Sequence, residues 1–265
     1  MTKWKSPTDL TTAQWQILEP LVRKASKRGR KLVYSRRDVI NAILYLNRTG
    51  CQWRMLPGHF PPWKTVYQIF YRWRIDGTWE RIHDHLREKV RKKEGKQPKP
   101  TAAIIDSQSV KTTHVGGSQR GYDAGKKVAG RKRHIIVDTL GLILAVVVHS
   151  ASQQDQDGAC LVLFTLWEKI KKVKTIFADT AYGRNGLPEH VKATLGFVIE
   201  VVKRPRDLKG FQVLPKRWIV ERTFAWIGFC RRNSKDYEGN PETSETMTQI
   251  SMIHLMLKRL KPANS

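Results

Sequence analysis

Two short apolar runs each deliver an aspartate, Ala102-Ala103-Ile104-Ile105-Asp106 and Thr175-Ile176-Phe177-Ala178-Asp179, and a later helical pattern carries Glu221. Carboxylates are hard oxygen donors. Mg²⁺ prefers such ligands and shares the rest of its coordination with substrate phosphates. Two such ions held together activate an attacking oxygen and steady a leaving one. The acids need not be close in sequence, because a fold can gather them. Taken singly, an aspartate after a strand is as easily a turn or cap residue. Glu221, one turn from Arg217, is as easily half of an exposed ion pair of little worth. The two aspartates together are more pointed, since strand ends of an α/β sheet are where sites collect. The expected catalytic and metal-holding set is Asp106, Asp179 and Glu221, with two Mg²⁺ ions for which Mn²⁺ can substitute.

Glu221 has a local context. Val220, Phe224 and Ile227 line one stripe of its helix, while Arg217, Glu221, Ala225, Gly228 and Arg232 line another. Ala225 and Gly228 are small, so a backbone or a substrate can approach that face. Arg217 can orient Glu221 or hold a phosphate. The stretch from Thr112 to Arg133 combines Gly116, Gly117 and Gly121 with Arg120, Lys126, Lys127, Arg131, Lys132 and Arg133. Glycine permits close approach of a phosphate and the cations attract it; a solvated charge run is the plainer alternative. Asp138, Asp155 and Asp157 read as turn or cap residues. His114, His134 and His149 show no metal-ligand spacing.

The elements that must position these groups form two segments. From residue 101 onward, strands and helices alternate. After the strand ending in Asp106, strands over Arg133–Asp138 and Leu142–Ser150 are joined at Thr139-Leu140-Gly141 as an antiparallel hairpin. Helices are expected over Asp157–Lys171, Asn185–Leu195, Pro215–Arg232 and Glu242–Leu260, with a strand over Phe197–Val202. Residues 1–92 read as helical, and residues 93–100, with two prolines and a glycine, as a linker. Helices are expected at Thr11–Val22, from Ser35 (with Asp38 as capping-box partner) to about Gly50, at Trp63–Asp76 and at Thr78–Lys92. A basic stretch, Arg23 to Lys31, separates the first two. In the third helix Val66, Ile69, Phe70 and Trp73 form the core stripe, leaving Lys64, Gln68, Arg72 and Arg74 off it. A helix, a loop and a polar second helix suit a helix-turn-helix reader of the major groove; an all-α packing domain with a solvated basic face is the alternative.

Composition narrows the partners. Lysine and arginine number 49 against 23 acidic residues, a net charge of +26. A surface this basic attracts a polyanion, and nucleic acid is the usual one. The three cysteines are far apart in sequence, which excludes zinc spacing and a disulfide framework and fits a reducing cytoplasm. Residues 1–10 lack the apolar core of a signal peptide, and the longest apolar stretch, Leu140–Val148, is about half a membrane span. No membrane association is expected.

The motifs as a set resemble those of the DDE transposases of the insertion-sequence-five family. Ile104-Ile105-Asp106-Ser107-Gln108-Ser109-Val110-Lys111-Thr112 resembles the first catalytic motif, and Ala178-Asp179-Thr180-Ala181-Tyr182-Gly183 the second. The third is resembled by Val220-Glu221-Arg222-Thr223-Phe224-Ala225-Trp226, continuing through Arg231, Arg232, Lys235 and Glu238. Gln52-Trp53-Arg54-Met55-Leu56-Pro57 and Phe60-Pro61-Pro62-Trp63-Lys64-Thr65-Val66-Tyr67 resemble the N-terminal DNA-binding region, so the likeness spans about residues 10–260. Around the glutamate the family often shows Tyr-x2-Arg-x3-Glu-x6-Lys. Arg217 and Glu221 fit, whereas Leu214 replaces the tyrosine and Gly228 the lysine; Arg231, Arg232 or Lys235 can stand in as phosphate anchors. The resemblance implies an α/β RNase H-like catalytic core, a mixed sheet flanked by helices, behind an all-α helix-turn-helix-like domain. It also implies action on double-stranded DNA, both terminal inverted repeats and target, by a homodimer or larger assembly in the bacterial cytosol. A metal-dependent nuclease that cuts without joining and an inactive DNA-binding relative are the rival readings.

Overall fold

The computed structural model describes residues 5–22, 33–114, 117, 119–202 and 216–261. The basic stretch Arg23–Lys31, together with Gly116, Leu214 and Pro215, lies outside the described residues.

Four helices open the chain: α1 (Thr12–Leu18), α2 (Arg36–Thr49), α3 (Trp63–Ile75) and α4 (Thr78–Lys93). Thr11 and Gln14 form a reciprocal capping box at α1. Ser35 caps α2 by accepting from the Asp38 amide, and Gly50, at φ 75°, ends it. Val66, Ile69, Phe70 and Trp73 are all buried on the inner face of α3, the stripe their spacing predicts. Residues 50–62 join α2 to α3, a longer path than the three- or four-residue turn of a helix-turn-helix.

The remainder builds a six-stranded mixed sheet from β1 (Ala102–Lys111), β2 (Gly121–Asp123), β3 (Val128–Asp138), β4 (Ile143–Ser150), β5 (Thr175–Ala178) and β6 (Val198–Val201). β1, β5 and β6 are parallel neighbours. β3 runs antiparallel beside β1, and β2 and β4 both pair with β3. The helices are α5 (Asp155–Lys169), α6 (Leu187–Leu195), α7 (Arg217–Gly228) and α8 (Pro241–Leu260).

Side chains alternate across a strand, and the two faces of the sheet feed two cores. Ile104, Ile135 and Val137 join α7, α8 and the N-terminal helices in one core; Ala103, Ile105 and Ile136 join α5 and α6 in the other. The first core thus runs from Val39 and Phe70 through Met256 to the sheet without dividing at residues 93–100. There the chain folds back on α4, where Arg91 Nε donates to Gln97 O at 2.7 Å.

Two expectations change. β1 does not stop at Asp106. Its polar continuation to Lys111 is held by the long antiparallel partner β3, which reaches Gly130 opposite Lys111. Residues 112–133 are not a phosphate-embracing loop throughout: β2, a tight turn and the start of β3 occupy residues 121–133. No described helix is long and apolar enough to cross a membrane.

Candidate active site and nucleic-acid interface

Parallel pairing of β1 with β5 ends at Ile104 and Phe177. Past that level β1 keeps only β3, and β5 leaves the sheet after Ala178. The opening holds Asp106 and Asp179. Asp106 shares its face with Ile104, the face covered by α7. Asp179 caps the 3-10 turn Thr180–Gly183, its Oδ1 accepting from Ala181 N at 2.8 Å. Asp106 Oδ1 accepts from Ser107 N at 2.7 Å. Burial pushes the Asp106 carboxyl up to about 6; the Ser107 amide opposes this, the neighbouring Asp179 carboxylate adds to it, and Arg217 and Lys126 oppose it. The two acids are therefore close enough to repel. Arg217 Nη2 lies 3.8 Å from Asp179 Oδ2.

Glu221 is exposed on α7, one turn beyond Arg217 and on the same helix face. Asp106 and Asp179 are gathered; Glu221 is not grouped with them. Among the described residues no group of three or more His, Cys, Asp or Glu is placed to hold a metal ion. The aspartates do fit a divalent cation. They are hard oxygen donors, and a cation would offset the burial that chiefly raises Asp106 and the neighbouring Asp179 charge that adds to it.

The basic residues divide sharply. Arg131 is fully enclosed, donating to Asp236 Oδ2 at 3.3 Å, Glu238 O at 2.9 Å, Gly239 O at 2.8 Å and Gln119 O at 3.0 Å. Arg133 donates to Asn233 O at 2.7 Å and Lys235 O at 3.2 Å. Lys132 Nζ lies 3.1 Å from Asp155 Oδ1 and 2.8 Å from Gln153 O. Arg232 holds Glu238 Oε1 at 2.6 Å and Cys51 O at 3.1 Å. These four side chains, expected to meet DNA, are buried and occupied by the protein itself. For Arg131, Lys132 and Arg133 the reason is the sheet: β3 is covered on both faces, so each of its cations must find internal partners; Arg232, in the turn Arg231–Asn233, is enclosed by Glu238 and the Cys51 carbonyl.

Lys64, Gln68, Arg72, Lys126, Lys127, Arg231 and Lys235 are exposed, and Arg74 and Arg217 are half-buried. Among the exposed cations, Lys126 is held beside Asp106: from the β2–β3 turn its Nζ donates to Ser107 O at 3.2 Å. Lys126 and Arg217 both bring positive charge near Asp106. On α3, Tyr67, Tyr71 and Ile75 are exposed beside the cations, so its outer face is partly aromatic.

Residues 97–256 match the family model described as "Transposase DDE domain". The chain belongs to the DDE transposase family. Residues 10–83 match "Putative transposase of IS4/5 family (DUF4096)". A relative, "Insertion element IS402 uncharacterized 16.2 kDa protein" of Burkholderia cepacia, is 30% identical over 108 residues, which cover 38% of this chain and 72% of the relative. The mixed sheet flanked by helices is accordingly the RNase H-like core of a DDE transposase domain, preceded by a helical region of IS4/5 type.

Within this transposase fold, sequence reasoning missed several groups beside the aspartates. Asp155, read as a cap, accepts from Ser107 Oγ at 2.9 Å and binds Lys132. His134, His149 and Tyr182 form a buried hydrogen-bonded line. No local spacing announces it, because the partners come from β3, β4 and the turn after β5. Only Tyr182, inside the second motif, carried any signal.

Proposed function

We propose that this DDE transposase cleaves phosphodiester bonds at the terminal inverted repeats of its element and joins the freed 3′-OH ends to target DNA. Asp106, Asp179 and Glu221 are the carboxylates of that reaction. One observation carries the reading: Asp106 and Asp179 stand side by side where paired parallel strands part, with Asp106 buried and held by a single amide. Bound by these oxygens, two Mg²⁺ ions, or Mn²⁺, would supply an activated attacking oxygen and charge neutralisation for the leaving one.

The chain's own groups do the positioning. Arg217 draws Asp179 toward α7 and offers a cation on that side. Lys126 offers another from the β2–β3 turn, so a scissile phosphate enters between two positive side chains. Ala225 and Gly228 are exposed and small, which leaves α7 open to a DNA backbone. Because Arg217 already pairs with Asp179, Glu221 one turn further along α7 reaches the pair by movement of that helix as DNA binds. Geometry in a DNA-free protein is commonly looser than in the reacting complex.

Residues 1–92 serve recognition and residues 101–265 chemistry, with 93–100 between them. Lys64, Gln68, Arg72 and Arg74 of α3 contact the terminal repeats; Lys127, Arg231 and Lys235 add phosphate contacts. Two ends must be held together, so a homodimer or larger assembly forms on DNA in the bacterial cytosol. The test incubates purified protein with labelled element-end DNA, a target plasmid and Mg²⁺, beside Glu221→Gln. Joined product lost in the variant supports the proposal. Cleavage without joining identifies a nuclease, and binding with neither identifies a relative without chemistry.

A further inference from the structure

On the α5 side of the sheet, behind the carboxylate pair, three side chains and one carbonyl form a continuous line. Tyr182 lies in the 3-10 turn that Asp179 caps. Its Oη is 3.0 Å from His134 Nε2 on β3. His134 Nδ1 is 2.7 Å from His149 Nε2 on β4, and His149 Nδ1 is 2.9 Å from Ser150 O. All three side chains are buried. The two imidazoles stack with centroids 5.0 Å apart, and the Tyr182 ring stands edge-on to His134.

Chemistry sets the direction of every bond. A carbonyl only accepts, so His149 carries its proton on Nδ1. A neutral ring then accepts at Nε2, so His134 donates from Nδ1 and accepts at Nε2, and Tyr182 Oη–H donates to it. Burial holds both histidines below their ordinary range, and His149 adds to the effect on His134, consistent with neutral rings. Every ring nitrogen is in use, so the pair has no lone pair left for a metal. α5 packs against the rings only because residue 158 is glycine: a Cβ there would lie 2.3 Å from His149 Nε2 and 2.5 Å from His134 Nδ1.

We propose that the Tyr182–His134–His149 line positions Asp179 for catalysis by clamping the turn after β5 onto β3. This rests on Asp179 being one of the catalytic carboxylates. Asp179 is the first residue beyond a four-residue strand. Among the described residues, the hydrogen bond its carboxylate accepts from the main chain, from Ala181 N, lies within the same turn and moves with it. Arg217 pulls on the carboxylate from α7, but the main chain that carries it goes where the turn goes, and Tyr182 is the turn's buried anchor. Tyr182 and His134 are positioning residues: they act through Asp179 and touch no substrate.

The test compares Tyr182→Phe, Gly158→Ala and Asp179→Asn in the full chain. Measured are the single-turnover cleavage rate of element-end DNA, the DNA dissociation constant, the Mg²⁺ concentration for half-maximal rate, and ¹⁵N shifts of the histidine rings. Removing one hydroxyl in place should leave DNA affinity unchanged. It should slow cleavage by roughly 10- to 100-fold, as expected for a small misplacement of a reacting group, and raise the Mg²⁺ requirement. The wild-type His134 ring should show the Nδ1–H tautomer, and its Nε2 shift should move in Tyr182→Phe. Gly158→Ala, which presses on the rings from α5 without touching Asp179, should slow cleavage in the same way. A full rate and unaltered Mg²⁺ requirement in Tyr182→Phe, or an Nε2–H tautomer at His134, would overturn the inference. Full activity in Asp179→Asn would instead remove the reading of the site on which it rests.

Discussion

Asp138 and Asp106 sit on adjacent antiparallel strands of the same sheet, a few register pairs apart, and the protein treats them in opposite ways. Asp138 is wholly buried yet saturated. Its Oδ2 receives Arg91 Nη1 at 2.5 Å, and its Oδ1 receives the amides of Leu140 at 2.8 Å and Leu142 at 2.9 Å. It pins α4 to the β3–β4 turn. Asp106 has one amide and a like charge nearby, and its carboxyl rises to about 6, first through burial. The carboxylate that holds the fold is surrounded by donors; the one proposed for catalysis is kept short of them. Glu245 on α8 is intermediate. Its Oε1 accepts from Val148 N at 2.8 Å on β4, and burial pushes its carboxyl up to about 7 despite that bond.

The comparison yields tests in descending size. Asp106→Asn or Asp179→Asn should cut cleavage by roughly 10³-fold, the scale of several kcal/mol of lost charge stabilisation, while melting shows a folded protein. Near-normal cleavage in a folded variant would end the contrast. Asp138→Ala should do the reverse. It leaves the buried Arg91 charge without its carboxylate, at a cost of about 3–5 kcal/mol, seen in denaturant melts, with the cleavage rate per folded molecule preserved. A rate loss with stability intact would show that Asp138 is not merely a latch.

Glu245 predicts a pH dependence. Its folded pKa is raised, from 4.5 to about 7, so between those values the folded state holds the extra proton. Stability from this group is then present below about 4.5 and is lost as pH rises toward 7. Glu245→Gln keeps an acceptor for Val148 N and should flatten that fall, giving a higher melting temperature than wild type at pH 8. An unchanged pH profile would place the charge of Glu245 in solvent. The smallest effect concerns the cations. Lys126→Gln or Arg72→Gln should reduce the slope of log K against log salt by about 1 each. Arg133→Gln should lower stability and leave the slope alone; a changed slope would return Arg133 to the DNA surface.

Much was legible in local pattern. The α3 stripe, the cap at Ser35, the β3–β4 hairpin and the two apolar strands preceding Asp106 and Asp179 all rest on periodicity or turn chemistry that neighbours enforce. The fate of Arg131, Lys132 and Arg133 was not. A run of cations reads as solvated charge until Asp236, Glu238 and Asp155 arrive from distant elements to bury it. Nor could the run from Thr112 be divided into loop, β2 and turn, because β2 exists only by pairing with β3.

What the sequence by itself determined are the quantities that add along a chain: the excess of positive charge, the alternation that makes strands and helices, and the motifs around Asp106, Asp179 and Glu221. What tertiary structure alone decided is which polar groups are compensated. Compensation depends on partners far apart in sequence: Asp138 found Arg91 across the first core, and His134 found Tyr182 across the sheet. In a medium where an unpaired charge is costly, that choice separates the groups that hold the fold from those left to act.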